Sequence, residues 1–236
     1  MSRDDSPRVR ALPQLVSVAL LGISLLCRTH VAAAEPVGKG ETMLRASACA
    51  VDISPQTLPV LVSGGFLSRT ADRLRDPLHA RCLVLEGGDT RIAIAVVDTL
   101  MMSRELLDRV KAEAARSTGI PPHHMLISAT HSHSCPSVMG ALGTDVDEEY
   151  TRYLSARLVE AIEGAARDLS PAQVGWATVD APRHTHCRRW IFRPDRMRTD
   201  PFGDRTVRAH MHPGYQNPDC IGPSGPPDPE LSMLSV

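Results

Sequence analysis

The chain has 236 residues, 42% of them hydrophobic, enough for one ordinary domain or part of a larger one with a sizeable core. A formal net charge of −1 argues against nucleic acid or an anionic membrane as the main partner. Aromatic residues make up only 3%, low for a surface that stacks bases or sugars.

The first residues read as a leader rather than as part of the fold. Met1 to Arg10 carries Arg3, Arg8 and Arg10, and a mostly apolar run from Ala11 to Cys27 follows. Ala32-Ala33-Ala34 then stands before Glu35. A basic start, an apolar middle and a small-residue site are the parts of a secretory signal peptide. Residues 1–34 are therefore expected to be removed, giving a secreted or periplasmic protein. The apolar run is shorter than the ~20 residues that a membrane-spanning helix needs. Of the six cysteines, Cys27 belongs to this leader. The other five are unevenly spaced and do not form a disulfide framework.

Residues 35–45 read as a flexible start. Leu44 to Ile53 reads as a first strand ending at Ser54-Pro55. Val60 to Gly65 is apolar and then glycine-rich. Gly64-Gly65 marks either a close approach of backbone to a neighbour or a plain turn. Leu78 to Glu86 and Arg91 to Leu100 form a strand pair joined through Gly87-Gly88-Asp89-Thr90. The second of these is apolar on both faces, which predicts a central strand buried on both sides. Asp98 at its tip either orients a ligand or caps a turn. Ser103 is placed to cap a helix carrying Leu106, Leu107, Val110 and Ala114 on one side, with Gly119 as its stop.

Met125-Leu126-Ile127 reads as the next strand. Strand, helix, strand is a βαβ unit, so the two strands are expected to be parallel neighbours ending at the same sheet edge. That would bring Asp98 to the polar loop that follows Ile127. Asp145 to Leu169 reads as a long helix, capped by Asp145 or Asp147, with Tyr153, Leu154, Leu158, Ile162 and Ala165 as its apolar stripe. Ala172 to Asp180 is a further strand. His184 to Gly225 is irregular, and a last strand begins at Leu231.

The chemistry concentrates after Ile127. His131 and His133 are two apart, and continued strand geometry would point both imidazoles to one face, offering two nitrogen ligands to one metal ion. The same pair could instead only hydrogen-bond the turn. His184/His186 and His210/His212 repeat the spacing in the irregular stretch. Arg188 and Arg189 can clamp a carboxylate or phosphate, or form a solvated basic loop. Cys135 can be a nucleophile, a ligand or a structural residue. No G-x-S-x-G nucleophile elbow is present.

The segment Ala129-Thr130-His131-Ser132-His133-Ser134-Cys135-Pro136 resembles the A-T-H-T-H-S-G-P motif of the neutral/alkaline, non-lysosomal ceramidases. Asp76-Pro77-Leu78-His79-Ala80 and Asp228 to Val236 resemble further stretches of that family, so the likeness runs from about Ala46 to Val236. The resemblance implies a zinc-dependent amidase that cleaves the N-acyl bond of ceramide or a related N-acyl lipid. It implies zinc bound by His131, His133 beside the site, and Arg188 or Arg189 near the substrate. The implied partner is an N-acyl lipid, with peripheral membrane contact and no nucleic acid.

Two departures stand out. Cys135 replaces the motif's glycine. The family's second zinc-binding histidine falls just past the strand that begins at Leu231, and its glutamate, tyrosine and serine have no match here. The resemblance therefore implies an α/β fold, a mixed sheet with a βαβ unit and flanking helices, as the N-terminal part (residues 46–236) of a ceramidase-like catalytic domain. Such a chain is expected to be inactive alone. The rival expectations are another metal hydrolase built on the later His-x-His pairs, and a non-catalytic secreted binding domain.

Overall fold

The computed structural model describes residues 43–236. The expected leader and its cleavage site lie outside the described residues. No described helix is long and apolar enough to cross a membrane.

The centre of the molecule is a five-stranded mixed sheet. Its strands are β1 (Arg45–Asp52), β4 (His79–Gly87), β5 (Thr90–Val97), β6 (Met125–Ala129) and β7 (Ser170–Pro171), in the spatial order β6-β5-β4-β1-β7. Two short strands, β2 (Val60–Val62) and β3 (Arg69–Ala71), pair with each other in the β1–β4 connection. The β4–β5 hairpin closes at Gly87 and Thr90, so its loop is Gly88-Asp89, with Gly88 at φ 60°. A positive φ in a two-residue hairpin loop matches the right-handed twist of the strands. Only β5 and β6 run parallel, with Ala93 to Val97 beside Met125 to Ala129, as a βαβ crossover requires.

The crossover helix α1 (Arg104–Thr118) starts on Ser103, whose side chain accepts the Leu106 N–H, and ends at Gly119 in the left-handed conformation. Helix α2 (Glu148–Arg167) starts on Asp147, whose carboxylate accepts the Tyr150 N–H at 3.0 Å. Asp147 Oδ2 also accepts the Leu61 N–H at 3.2 Å, so the cap ties the helix start to β2.

Both helices cover one face of the sheet. Val51, Ala80, Cys82, Val84, Ala93, Ala95, Val97, Met125 and Ile127 point into it, against Leu106, Val110, Leu154, Leu158 and Ile162. Each fully buried leucine or isoleucine contributes about 1.5–3 kcal/mol. Helix α2 approaches β1 so closely that a β-carbon on Gly164 would lie 2.6 Å from Cys49 Sγ. The Tyr150 hydroxyl donates to Ile53 O at 2.7 Å in this core. Burial there pushes the phenol well above its ordinary pKa.

The expectation that β5 is buried on both faces is corrected. It lies next to the edge strand, and its second face stays open among the described residues, with Ile92 and Val96 exposed beside Leu126. A continuous apolar run reads the same whether the second face is covered or not, so pattern alone could not separate the cases.

The rest of the chain forms two small sheets. β8 (Gly175–Asp180) pairs antiparallel with β12 (Glu230–Ser235) along six residue pairs. The stretch read as irregular contains β9 (Trp190–Phe192), β10 (Ala209–His210) and β11 (Cys220–Pro223), in the order β10-β9-β11. These strands have two to four residues each, too short to produce a readable alternation.

Candidate functional site

The site forms where β5 and β6 end side by side. Val97 pairs with Ala129, and Val97 O accepts the Thr130 N–H at 2.9 Å. Thr99 O accepts the Ser132 N–H at 3.1 Å, so the histidine loop is zipped onto the segment leaving β5. Between these bonds His131 adopts φ 60°. Strand geometry therefore stops at Ala129, and the two imidazoles do not meet by strand alternation as expected. A left-handed turn at His131 brings them together. Such a conformation in a non-glycine residue costs about 1–3 kcal/mol and persists only where the surroundings hold it.

The surroundings do hold it. His131 Nδ1 lies 3.0 Å from Leu100 O, and His133 Nδ1 lies 2.8 Å from Gly64 O. A carbonyl oxygen only accepts, so each Nδ1 carries the proton and donates it. With Nδ1–H engaged, Nε2 is the ring nitrogen left to offer a lone pair. The ring centroids are 4.9 Å apart, edge to face at 82°. Both side chains are exposed, and no described protein group bonds either Nε2. An imidazole whose Nδ1–H is fixed by a carbonyl is the usual arrangement of a metal-ligating histidine.

Gly64 makes this possible by closeness. It sits at φ 107°, and an added β-carbon would lie 2.8 Å from the His133 α-carbon. Of the Gly64-Gly65 pair, Gly64 is therefore the close approach of backbone to a neighbour. Arg69 on β3 donates through Nη2 to His133 O. Pro136 bridges to Val62 on β2, and Ser137 N donates to Leu61 O at 2.8 Å. The β2–β3 segment thus clasps the histidine loop from the side opposite β5. Sequence reasoning missed Leu100 and Arg69. Leu100 acts through its backbone, which no side-chain pattern reveals, while the glycine pair was the one readable signal.

The two open assignments at the strand tip resolve as follows. Asp98 Oδ2 accepts the His79 N–H at 2.9 Å and Arg81 Nη1 at 3.0 Å. Through Oδ2 its carboxylate therefore ties the end of β5 to the start of β4. Cys135 is only 1% exposed, and burial pushes its thiol pKa up. A thiol that is covered and held protonated fills space rather than attacking a substrate.

The later histidines are bonded differently. His210 Nδ1 accepts the His212 N–H at 3.0 Å, which spends its lone pair. His212 Nε2 lies 3.1 Å from Arg188 Nη2, which also faces Met211 Sδ at 3.0 Å. The His212 lone pair therefore points at a cation. Arg189 O accepts the Ser224 N–H at 2.8 Å. Among the described residues, no hydrogen bond or ion pair joins Arg188 or Arg189 to the histidine loop. No described group of three or more His, Cys, Asp or Glu side chains is placed to hold one metal ion. His131 and His133 fit zinc as two nitrogen donors. A catalytic zinc takes about three protein ligands and a water, more than these two residues supply.

This mixed α/β architecture matches part of the fold of solved ceramidase structures. The solved structure of neutral ceramidase from Pseudomonas aeruginosa superposes with a TM-score of 0.58 at 18% identity, over 82% of this chain and 29% of that one. A ceramidase complexed with C2 superposes with a TM-score of 0.57 at 19% identity, over the same shares. The chain thus spans under a third of the length of the structures it matches. No protein-family model matches the chain, nor does any curated protein sequence.

Proposed function

We propose that this chain carries the histidine corner of a zinc-dependent amide hydrolase of the neutral ceramidase type. In a full-length form it would cleave the N-acyl bond of ceramide or a related N-acyl lipid. The supporting observation is the pair of imidazoles, each pinned at Nδ1 by a carbonyl and without a described partner at Nε2, at the strand ends of a ceramidase-like fold.

In this reading His131 ligates zinc through Nε2, with Leu100 O fixing the ring. His133 sits beside the site, where its Nε2 could take a proton from the attacking water and return it to the leaving amine nitrogen. Arg188 or Arg189 is assigned to the polar part of the substrate. Zinc, when bound, would polarise the amide carbonyl and lower the pKa of its water to about 7. With His131 as its one assigned ligand the chain alone holds zinc weakly, because affinity needs the full ligand set held in place. The leader read at residues 1–34 would send it to the periplasm or outside the cell.

Calorimetric titration of the chain with Zn²⁺ tests this. Weak binding to one site, lost in His131→Gly and unchanged in His210→Ala, is the expected result. Binding that survives His131→Gly and disappears in His210→Ala or His212→Ala would overturn it in favour of a site on the later histidines.

A further inference from the structure

Cys49 of β1 and Cys82 of β4 stand directly opposite each other in the antiparallel register. Residues opposite one another on neighbouring strands project to the same face of a sheet. Here that face is the one the helices cover, since Cys82 belongs to the core and Cys49 packs against it. Helix α2 passes over the pair at Gly164, where a β-carbon would lie 2.6 Å from Cys49 Sγ, so this glycine leaves room for the sulfur. One residue beyond β1, the Ile53 N–H donates to Leu78 O at 2.8 Å. Hydrogen-bonded pairs recur at every second residue, which makes Cys49 and Cys82 such a pair, with α-carbons about 5.5 Å apart. Disulfides span α-carbon separations of ~4.4–6.8 Å. The other described cysteines sit elsewhere: Cys135 in the histidine loop, Cys187 before β9 and Cys220 on β11.

We infer that Cys49 and Cys82 form a disulfide site, closed during folding by exchange with an external disulfide. The Cys49 thiolate attacks that disulfide, forms a mixed disulfide and releases one thiol. The Cys82 thiolate then attacks the Cys49 sulfur and releases the second thiol. Two cysteines are oxidised, one external disulfide is reduced to two thiols, and the two cysteine protons end on the released thiols. Once folded, Cys82 is 2% exposed and Cys49 is half-buried, so closure precedes the docking of α2. Reduced, the pair stays as two thiols, as in the structure. The bond closes a loop of roughly 30 residues, which stabilises a fold by restricting its unfolded chain. That loop contains β2 and β3, with the Gly64 and Arg69 contacts that clasp the histidine loop. Such bonds persist in oxidising compartments, and to that extent the inference rests on the export reading of residues 1–34.

The test does not depend on export. The full chain is unfolded in urea with a reductant and refolded with glutathione disulfide and glutathione. It is then digested with trypsin without reduction. The expected product is peptide 46–69 joined to peptide 82–91, two hydrogens lighter than their sum. Glutathione disulfide added to the folded, reduced chain should give much less of it, and an equal yield there would overturn the order of events. The oxidised chain should melt about 5–10 °C above the reduced one. Cys49→Ser should remove both the linked peptide and the shift, and Cys187→Ser neither. Refolding that leaves Cys49 and Cys82 as thiols, or joins either to another cysteine, would overturn the assignment. A linked protein that melts no higher than the reduced one would overturn the stabilising role. Cell fractionation reads export separately, so failure of that reading is visible without failure of the cysteine pairing.

Discussion

The carbonyl oxygen of Gly64 accepts the Nδ1–H of His133 at 2.8 Å, and the two residues touch so closely that a β-carbon on Gly64 would overlap the His133 backbone. One backbone contact thus sets both the tautomer and the position of the imidazole. Gly64→Ala is expected to cost about 1–3 kcal/mol, through its positive φ and the clash together. It should also shift the His133 ring resonances. Denaturant unfolding and histidine NMR would check this. A variant with unchanged stability and an unchanged His133 signal would count against the contact.

His131 carries the second constraint, a left-handed backbone. His131→Gly removes the ring and relieves that conformation, whereas His131→Ala removes the ring and keeps the strain. The glycine variant is expected to be the more stable of the two by about 1 kcal/mol. Parallel urea titrations give the comparison. Equal stability would mean that His131 is not held at positive φ in solution.

Glu86 on β4 lies between Arg45 of β1 and Arg91 of β5 in the sheet register and bonds to both. The Arg91 hydrogen bond, with Arg45 behind it, holds the carboxyl below the usual glutamate range. A depressed folded pKa stabilises the fold above the unfolded value of about 4.3 and loses that contribution as pH falls through the folded value. Stability should therefore drop on acidification through and below this range. Glu86→Gln should flatten the drop and lower stability at neutral pH. Melting temperatures of both proteins between about pH 3 and 7 would show it.

The cysteines should differ sharply in reactivity. Cys82 is buried, and its thiol pKa is pushed up to about 12. Cys135 is equally covered, and its pKa is also raised by burial. The Cys187 thiol is held below its ordinary pKa, chiefly by its hydrogen bond with Ser224. Iodoacetamide at pH 8 should modify Cys187 first, and Cys82 and Cys135 only after unfolding. Peptide mass spectrometry would read the order. Early labelling of Cys135 would reopen its role as a nucleophile.

Much of the fold was legible because its signals are local. Ser103 and Gly119 bracket α1, and the apolar stripe from Leu154 to Ala165 declares α2. The parallel pairing of β5 with β6 follows from the chirality of the crossover between them. The site was legible in its side chains but not in its geometry. His131 and His133 announced themselves, yet what orients them is the backbone of Leu100 and Gly64, and a carbonyl has no letter in a sequence. The open face of β5 was hidden for a different reason, since burial depends on what else packs there. The strands β9 to β11 gave no readable period because each has only two to four residues.

The order β6-β5-β4-β1-β7 also sets how the chain must assemble. β4 and β5 are joined by two residues, so this hairpin can close early and cheaply. β1 is made before its partner β4, and its other neighbour, β7, follows only after both helices. The Arg45 guanidinium reaches Leu169 O across 124 residues. Contacts of such long range close slowly because the loop entropy is lost before any bond is gained. On the ribosome, β1 therefore waits as an unpaired strand until the β4–β5 hairpin appears. The edge beside β7 is completed only after α2 has docked.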